Sequence, residues 1–328
     1  IGVSLFFAEI SGSAVADVAA LGSIMIPEMK KRGYGAPFAA AVTSSSASLA
    51  IIIPPSIPMI LYAVSANTSV EQLFVAGFIP GLMGAIGLMG VSWWFARRYN
   101  LPVEEAFNWP RLRHAAIEAG PTFLLPIIIL GGIFGGFVTA TEAAGLAVLA
   151  AIGVGIWYRE VDFRQLHRAM LEGGMQTAVV MVLVAASVLM GGFLTRAQIP
   201  QELAAQMVAF TDSKFVILLI LNVFFLIIGF FLHSAAAIIL VVPIVVPLIQ
   251  QVGIDPVHFG LVVTLNLAIG QQTPPVASVL ITACSIARAN IWEVTRVNLP
   301  FIGVLVGVLL ICTYVPAIPM FLVELFYR

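Results

Sequence analysis

Ser44-Ser45-Ser46-Ala47-Ser48-Leu49-Ala50-Ile51-Ile52-Ile53-Pro54-Pro55 is a polar, proline-broken stretch inside an otherwise apolar span. Sliding the chain against itself by 220 residues lays it on Thr264-Leu265-Asn266-Leu267-Ala268-Ile269-Gly270-Gln271-Gln272-Thr273-Pro274-Pro275, with one Pro-Pro pair on the other. At that offset Pro27 falls on Pro247, Gly33 on Gly253, Pro80 on Pro300 and Gly87 on Gly307 without a gap. An internal repeat whose apolar segments are interrupted at matching places points to a transport site in a membrane protein.

Composition supports the membrane. With 61% hydrophobic and 9% charged residues and a mean hydropathy of +1.07, the chain has too little polar surface to coat a soluble globule. The apolar runs are long and continuous rather than short and alternating, which predicts an all-α polytopic protein and excludes a β-barrel. Net charge of −1 gives no reason to expect nucleic acid. Cys284 and Cys312 lie inside apolar segments without a Cys or His partner nearby and read as core thiols.

Four regions follow. Residues 1–96 hold the first repeat, with two short apolar pieces around Ser11-Gly12-Ser13 forming a re-entrant hairpin, a broken crossing at 37–66 and a continuous one at 73–96. Residues 97–118, carrying Arg97, Arg98, Trp109, Arg111 and Arg113, read as an amphipathic interfacial connector in contact with lipid. Residues 119–213 supply scaffold crossings near 121–138, 143–158 and 174–195, followed by a polar loop. Residues 214–328 hold the second repeat, with a hairpin around His233-Ser234, a broken crossing at 257–286 and a last crossing at 297–323.

Basic residues concentrate in cytoplasmic loops. Placing Lys30, Lys31 and Arg32 in the cytoplasm puts Arg97, Arg98, Arg111, Arg113, Arg159, Arg164, Arg168, Arg288 and Arg296 on the same side; only Arg196, Lys214 and Arg328 fall outside. The C-terminus is then periplasmic. Five crossings separate the two hairpins, so the repeats are expected to be inverted. The three crossings between about 120 and 220 have no counterpart before Ile1, and the expectation is a piece of a longer chain whose partners of those crossings precede it.

A helix can break at membrane depth only where protein or a water-filled cavity satisfies its backbone. Carbonyls freed at the end of one half-helix suit a dehydrated Na⁺, and amides at the start of the next suit a carboxylate. Ser44, Ser45, Ser46, Asn266 and Thr273 add neutral oxygens, and the tips Ser11-Gly12-Ser13 and His233-Ser234 are expected to meet their own repeats' breaks. The competing reading has the serines bonding to the preceding turn and the prolines only kinking packed helices. Asp17 and His233 divide between substrate contact and structural roles, with proton coupling a further reading for His233.

Ser11-Gly12-Ser13 with Ala16-Asp17-Val18-Ala19-Ala20-Leu21-Gly22-Ser23-Ile24-Met25-Ile26-Pro27 and Lys31-Arg32-Gly33-Tyr34 resembles the first hairpin of the large membrane subunit of the tripartite ATP-independent periplasmic (TRAP) transporters. Ile254-Asp255-Pro256-Val257-His258-Phe259-Gly260, Asn266-Leu267-Ala268-Ile269-Gly270 and Thr273-Pro274-Pro275 resemble its second signature, and Thr141-Glu142-Ala143-Ala144 a third segment. The resemblance implies an elevator-type secondary transporter in the bacterial inner membrane. It would be driven by Na⁺, extended by a small membrane subunit and served by a periplasmic substrate-binding protein that delivers an organic acid.

By that analogy Ser11, Gly12, Ser13, Ser44, Ser45, Ser46 and Pro54 would hold one Na⁺. Ser234, Asn266, Gln272, Thr273 and Pro274 would hold another, and Ser13, Asp17, Ser48, His233 and Gln271 would meet substrate. Na⁺ is the coupling ion and no other cofactor is implied. Many relatives carry an acidic residue at the place of His233 and an apolar pair at Gln271-Gln272. That polar pair favours a hydroxyl-rich ligand; dicarboxylates, keto acids and sugar acids such as sialic acid all fit. A passive ion channel or an intramembrane enzyme is the alternative, but the chain has no HExxH motif, no GxxxxGK[ST] and no recognisable Ser-His setting.

Overall fold

Small polar residues set where the helices begin. In the computed structural model, which describes the chain apart from residues 102–107, 200, 201, 203–205, 207–210, 212 and 328 and the Thr195 side chain, α1 (Gly2–Ser11) and α2 (Ala14–Lys31) flank the Ser11-Gly12-Ser13 tip. Ser13 caps α2, its hydroxyl accepting from Ala16 N–H, a first-turn donor the helix cannot satisfy itself. α3 (Ala36–Ala47) runs into a 3-10 turn over Ser48–Ile51, and Ser56 caps α4 (Ile57–Ala66) beyond Pro54-Pro55. α5 (Val70–Arg98) is a long helix capped by Ser69.

The second stretch repeats this order. α10 (Lys214–Phe231) and α11 (Ser234–Val252) surround Leu232-His233, α12 (Pro256–Gly270) leads to the second Pro-Pro pair, and α13 (Ser278–Ala287) and α14 (Ile291–Tyr314) follow. At the 220-residue offset, α1 and α10 end together, α2 and α11 start together, and so do α3 and α12. Gly33 and Gly253 both take positive φ, +89° and +73°, and both Pro-Pro bonds are cis. Packing between the stretches is reciprocal, α2 lying against α13 and α11 against α4.

The last predicted crossing, 297–323, is not one helix. α14 ends at Tyr314, and α15 (Ala317–Tyr327) begins beyond Pro316 and packs on α5; a proline cannot donate to the preceding turn, and it crowds the carbonyl there. Length and composition make six described helices able to cross a membrane, or seven if the pair α6 (Trp109–Glu118) and α7 (Gly120–Phe134), bent by 65°, counts as one. α10 and α11, with 18 and 19 residues, are among the six.

Contacts divide the chain into two units, one of Ile1–Pro102 with Leu183–Arg328 and one of Val103–Val182. In the first, α12 is buried along its whole length, from Val257 to Gly270. A helix buried all round needs no amphipathic stripe. Phe95 and Phe301 stack, with Phe38 tilted against both. In the second unit, α7 packs on α8 (Ala140–Trp157), which Thr139 and Glu142 start with a reciprocal capping box. Apart from Ala143, α8 buries nothing, which leaves an apolar surface suited to hydrocarbon. α6 buries none of its residues. α9 (Phe163–Arg196) begins earlier than the crossing predicted at 174–195. Part of the predicted connector, most of the polar loop before Lys214 and Arg328 lie outside the described residues.

Candidate functional site

Each hairpin tip meets the break of its own stretch. Ile57 N–H, at the start of α4, donates to Gly12 O at 3.2 Å. Gly12 sits at φ +60°, and a Cβ there would come within 2.7 Å of Pro55 O, so the close approach needs glycine. In the second stretch Val276 N–H donates to Phe230 O at 3.2 Å. There the backbones of α10 and α12 touch at Gly229 and Gly270, where a Cβ on Gly270 would lie 2.5 Å from Gly229 Cα.

Three helix N-termini converge on one small cavity of about 40 Å³. Gly12, Ser13 and Ala14 bring the start of α2, Ile57 and Pro58 the start of α4, and His233, Ser234 and Ala235 the start of α11; Ile51 and Gln271 complete the lining. His233 and the tip residues Gly12 and Ser13 therefore line one cavity. α11 has no side-chain cap. The uncapped start of α11 and the partial positive ends of α2 and α4 make this concavity attractive to an anion; at α4 the donors are already used, since Ile57 N–H goes to Gly12 O, Pro58 has no N–H and Ser56 Oγ takes Met59 N–H.

Around the cavity the breaks are lined with buried neutral oxygens. Ser4 Oγ and Ser46 Oγ are 2.8 Å apart, joining α1 to the end of α3. Asn222 Oδ1 accepts from Asn266 Nδ2 at 2.7 Å, joining α10 to α12 at the position that matches Ser46. Asn266 is wholly buried, and its Oδ1 has no hydrogen-bond partner. A buried acceptor left unsatisfied costs on the order of 1–3 kcal/mol, which a bound cation would offset. Among the described residues no group of three or more His, Cys, Asp or Glu side chains could hold a metal ion; the donors here are the hydroxyls, amides and carbonyls that suit a hard monovalent cation.

Several predicted residues are engaged differently. Gln272 does not line the cavity: it is fully buried, its Nε2 donating to Ser44 O and Ser48 Oγ and its Oε1 accepting from Asn298 Nδ2. The preference drawn from the Gln271-Gln272 pair therefore rests on Gln271 alone, which lines the cavity and accepts from Ser278 Oγ. Ser45 Oγ donates to Asn298 Oδ1. Asp17 is buried one turn into α2, where Ser11 Oγ donates to its Oδ1 and its Oδ2 has no partner; it closes the hairpin turn and is not in the cavity wall.

Ser44 donates its hydroxyl to Ala41 O, and Thr273 to Ile269 O, so back-bonding to the preceding turn is realised at these two. Ser46 and Ser48 do the same in addition to their other contacts. Ser234 is buried in the cavity wall, Pro54 is buried in the first break and Pro274 is partly buried in the second.

Ser4, Asn222, Asn298 and Thr313, which accepts from Asn222 Nδ2, escaped the sequence reading. The carboxamides Asn222 and Asn298 carried a signal, since a buried amide within a long apolar helix is costly unless paired.

The described helices thus bring both hairpin tips and both breaks to one small cavity. The chain matches the family model described as the tripartite ATP-independent periplasmic transporter, DctM component, over residues 1–318, and it belongs to that family. It is 42% identical over 323 residues to the isethionate TRAP transporter permease protein DctMQ of Oleidesulfovibrio alaskensis, covering 98% of this chain and 51% of that protein. To the C4-dicarboxylate TRAP transporter large permease protein DctM of Pseudomonas aeruginosa it is 37% identical, over 96% of this chain and 74% of the other. The sialic acid TRAP transporter large permease protein SiaM of Vibrio cholerae is 36% identical, over 98% and 76%. The chain thus spans about half the length of the first relative and about three quarters of the others.

Proposed function

We propose that this chain is the permease part of a secondary active transporter that takes up a small organic acid, with a carboxylate facing the hairpin tips and Na⁺ as the driving ion. The convergence of three helix N-termini on one cavity carries the reading. The partial positive ends of α2, α4 and α11 meet there, and no Lys or Arg lines the cavity, so they hold an anion by partial charge and release it again. About 40 Å³ has room for a water-sized group but not a whole organic acid, so loading requires the tips to part.

One Na⁺ sits between the Ser11-Gly12-Ser13 tip and the first break, near Ser4 and Ser46. A second sits between the α10–α11 tip and the second break, where Asn266 Oδ1 lacks a partner. The two stretches form an inverted repeat that moves as one body against a scaffold completed by a small membrane subunit, and a periplasmic binding protein delivers the substrate. The loop at 30–37 is cytoplasmic and the C-terminus periplasmic in the inner membrane. Relatives named for isethionate, C4-dicarboxylates and sialic acid support an organic anion as the class of cargo.

The test is uptake into sealed proteoliposomes holding the complete transporter, with labelled C4-dicarboxylate, isethionate and sialic acid offered through binding protein. Uptake that needs both an inward Na⁺ gradient and binding protein is expected. Ion flux independent of substrate would make the chain a channel, and turnover in unsealed membranes would make it an enzyme.

A further inference from the structure

The end of α3 resembles a cation site already filled from within the protein. Ser44 O is one of the last carbonyls of α3, at the end carrying the partial negative charge of the helix. Gln272 Nε2, reaching across from the second break, donates to it at 2.5 Å and also to Ser48 Oγ. The orientation of this amide is chemically fixed. A carbonyl oxygen has no proton to give, so Nε2 must face Ser44; Oε1 then accepts from Asn298 Nδ2 at 3.1 Å, and Asn298 Oδ1 accepts from Ser45 Oγ. Ser44, Ser45, Ser48, Gln272 and Asn298 are all fully buried.

We propose that the Gln272 amide is a resident substitute for one monovalent cation, placing two N–H protons where an ion would otherwise be held by Ser44 O and Ser48 Oγ. The second break has no such plug. At the 220-residue offset Gln272 corresponds to Ile52, Ser48 to Ala268 and Asn298 to Phe78, none able to donate from its side chain, and there the buried Asn266 Oδ1 stays unpartnered. The first break therefore carries a position, distinct from the one near Ser4 and Ser46, that the chain occupies permanently and that an ion would enter only when the amide is removed. The inference rests on the Na⁺ reading above, and it sets how many ions accompany each substrate.

The experiment counts ²²Na⁺ bound per permease in the complete transporter held in lipid nanodiscs. Gln272→Ala is expected to bind one more Na⁺ than wild type, and Gln272→Glu to bind that ion more tightly, because a carboxylate adds charge at the same volume. An added ion in either folded variant supports the substitution; the wild-type count in both overturns it. Gln272→Glu, keeping the side-chain volume, decides the matter if the smaller side chain prevents folding. Asn266→Ala in the same assay separates the two claims. Wild type that binds no Na⁺, or binds as much after that change, refutes Na⁺ at the second break, whereas the count in the Gln272 variants addresses the plug alone.

Discussion

At the first break the buried amides and hydroxyls of Ser44, Ser45, Ser48, Gln272 and Asn298 close on one another, while at the second the buried Oδ1 of Asn266 has no partner. The two breaks share a Pro-Pro pair, matching helix ends and a tip that docks on each, so the difference does not come from backbone design. It comes from which side chain reaches across: Gln272 extends from the second break into the first, and its counterpart Ile52 returns nothing polar. A matched scaffold can thus hold one self-satisfied position and one with a buried oxygen left unpartnered.

The largest effect is expected where backbones touch. Gly270→Val would force α10 away from α12, since even a Cβ lies 2.5 Å from Gly229 Cα, and overpacking of this kind costs 1–3 kcal/mol or more. Loss of a monodisperse, folded permease by size-exclusion chromatography is expected. A folded variant that still takes up substrate would show that the α10–α12 contact is dispensable, and would break the comparison at its root.

Next comes Asn266→Ala, expected to lower apparent Na⁺ affinity about ten- to hundredfold, since a lost oxygen in a closed site is worth on the order of 1–3 kcal/mol. Sodium titration of uptake measures this. Equal Na⁺ dependence before and after would place the ion elsewhere.

Asn298→Leu sharpens the contrast. It strips partners from Ser45 Oγ and Gln272 Oε1, which should cost about 1–3 kcal/mol of stability and lower the thermal midpoint while leaving Na⁺ affinity unchanged. A variant as stable as wild type but with weakened Na⁺ affinity would make the Gln272–Asn298 network part of an ion site.

The smallest change is expected from His233→Ala, which trims the cavity wall without touching either buried network. Apparent substrate affinity should shift several-fold, with expression and Na⁺ binding retained. Wild-type kinetics and specificity would remove His233 from the substrate's surroundings.

Much of the architecture was legible in the chain. Hydropathy gave the spans because the bilayer demands about 20 apolar residues per crossing helix. The 220-residue offset gave the matched breaks because Pro and Gly act on the backbone locally, whatever surrounds them. The turn at Ser11-Gly12-Ser13 was readable for the same reason. The last crossing was misread as one helix because Pro316 lies within an unbroken apolar run that hydropathy cannot divide.

What the sequence determined by itself is therefore where helices run, where they break and that the breaks come in pairs, all consequences of short-range sterics and of solvation by lipid. Only the tertiary structure decided which polar group meets which. Ser45 finds Asn298 across 253 residues and Gln272 finds Ser44 across 228, and no local rule fixes such partners. They depend on how α2 and α11 pack against the opposite stretch's half-helices and so bring the two breaks together. That docking turns unmatched serines, a glutamine and asparagines into one closed network and one open oxygen, because a buried hydrogen bond is set by direction and distance rather than by position along the chain.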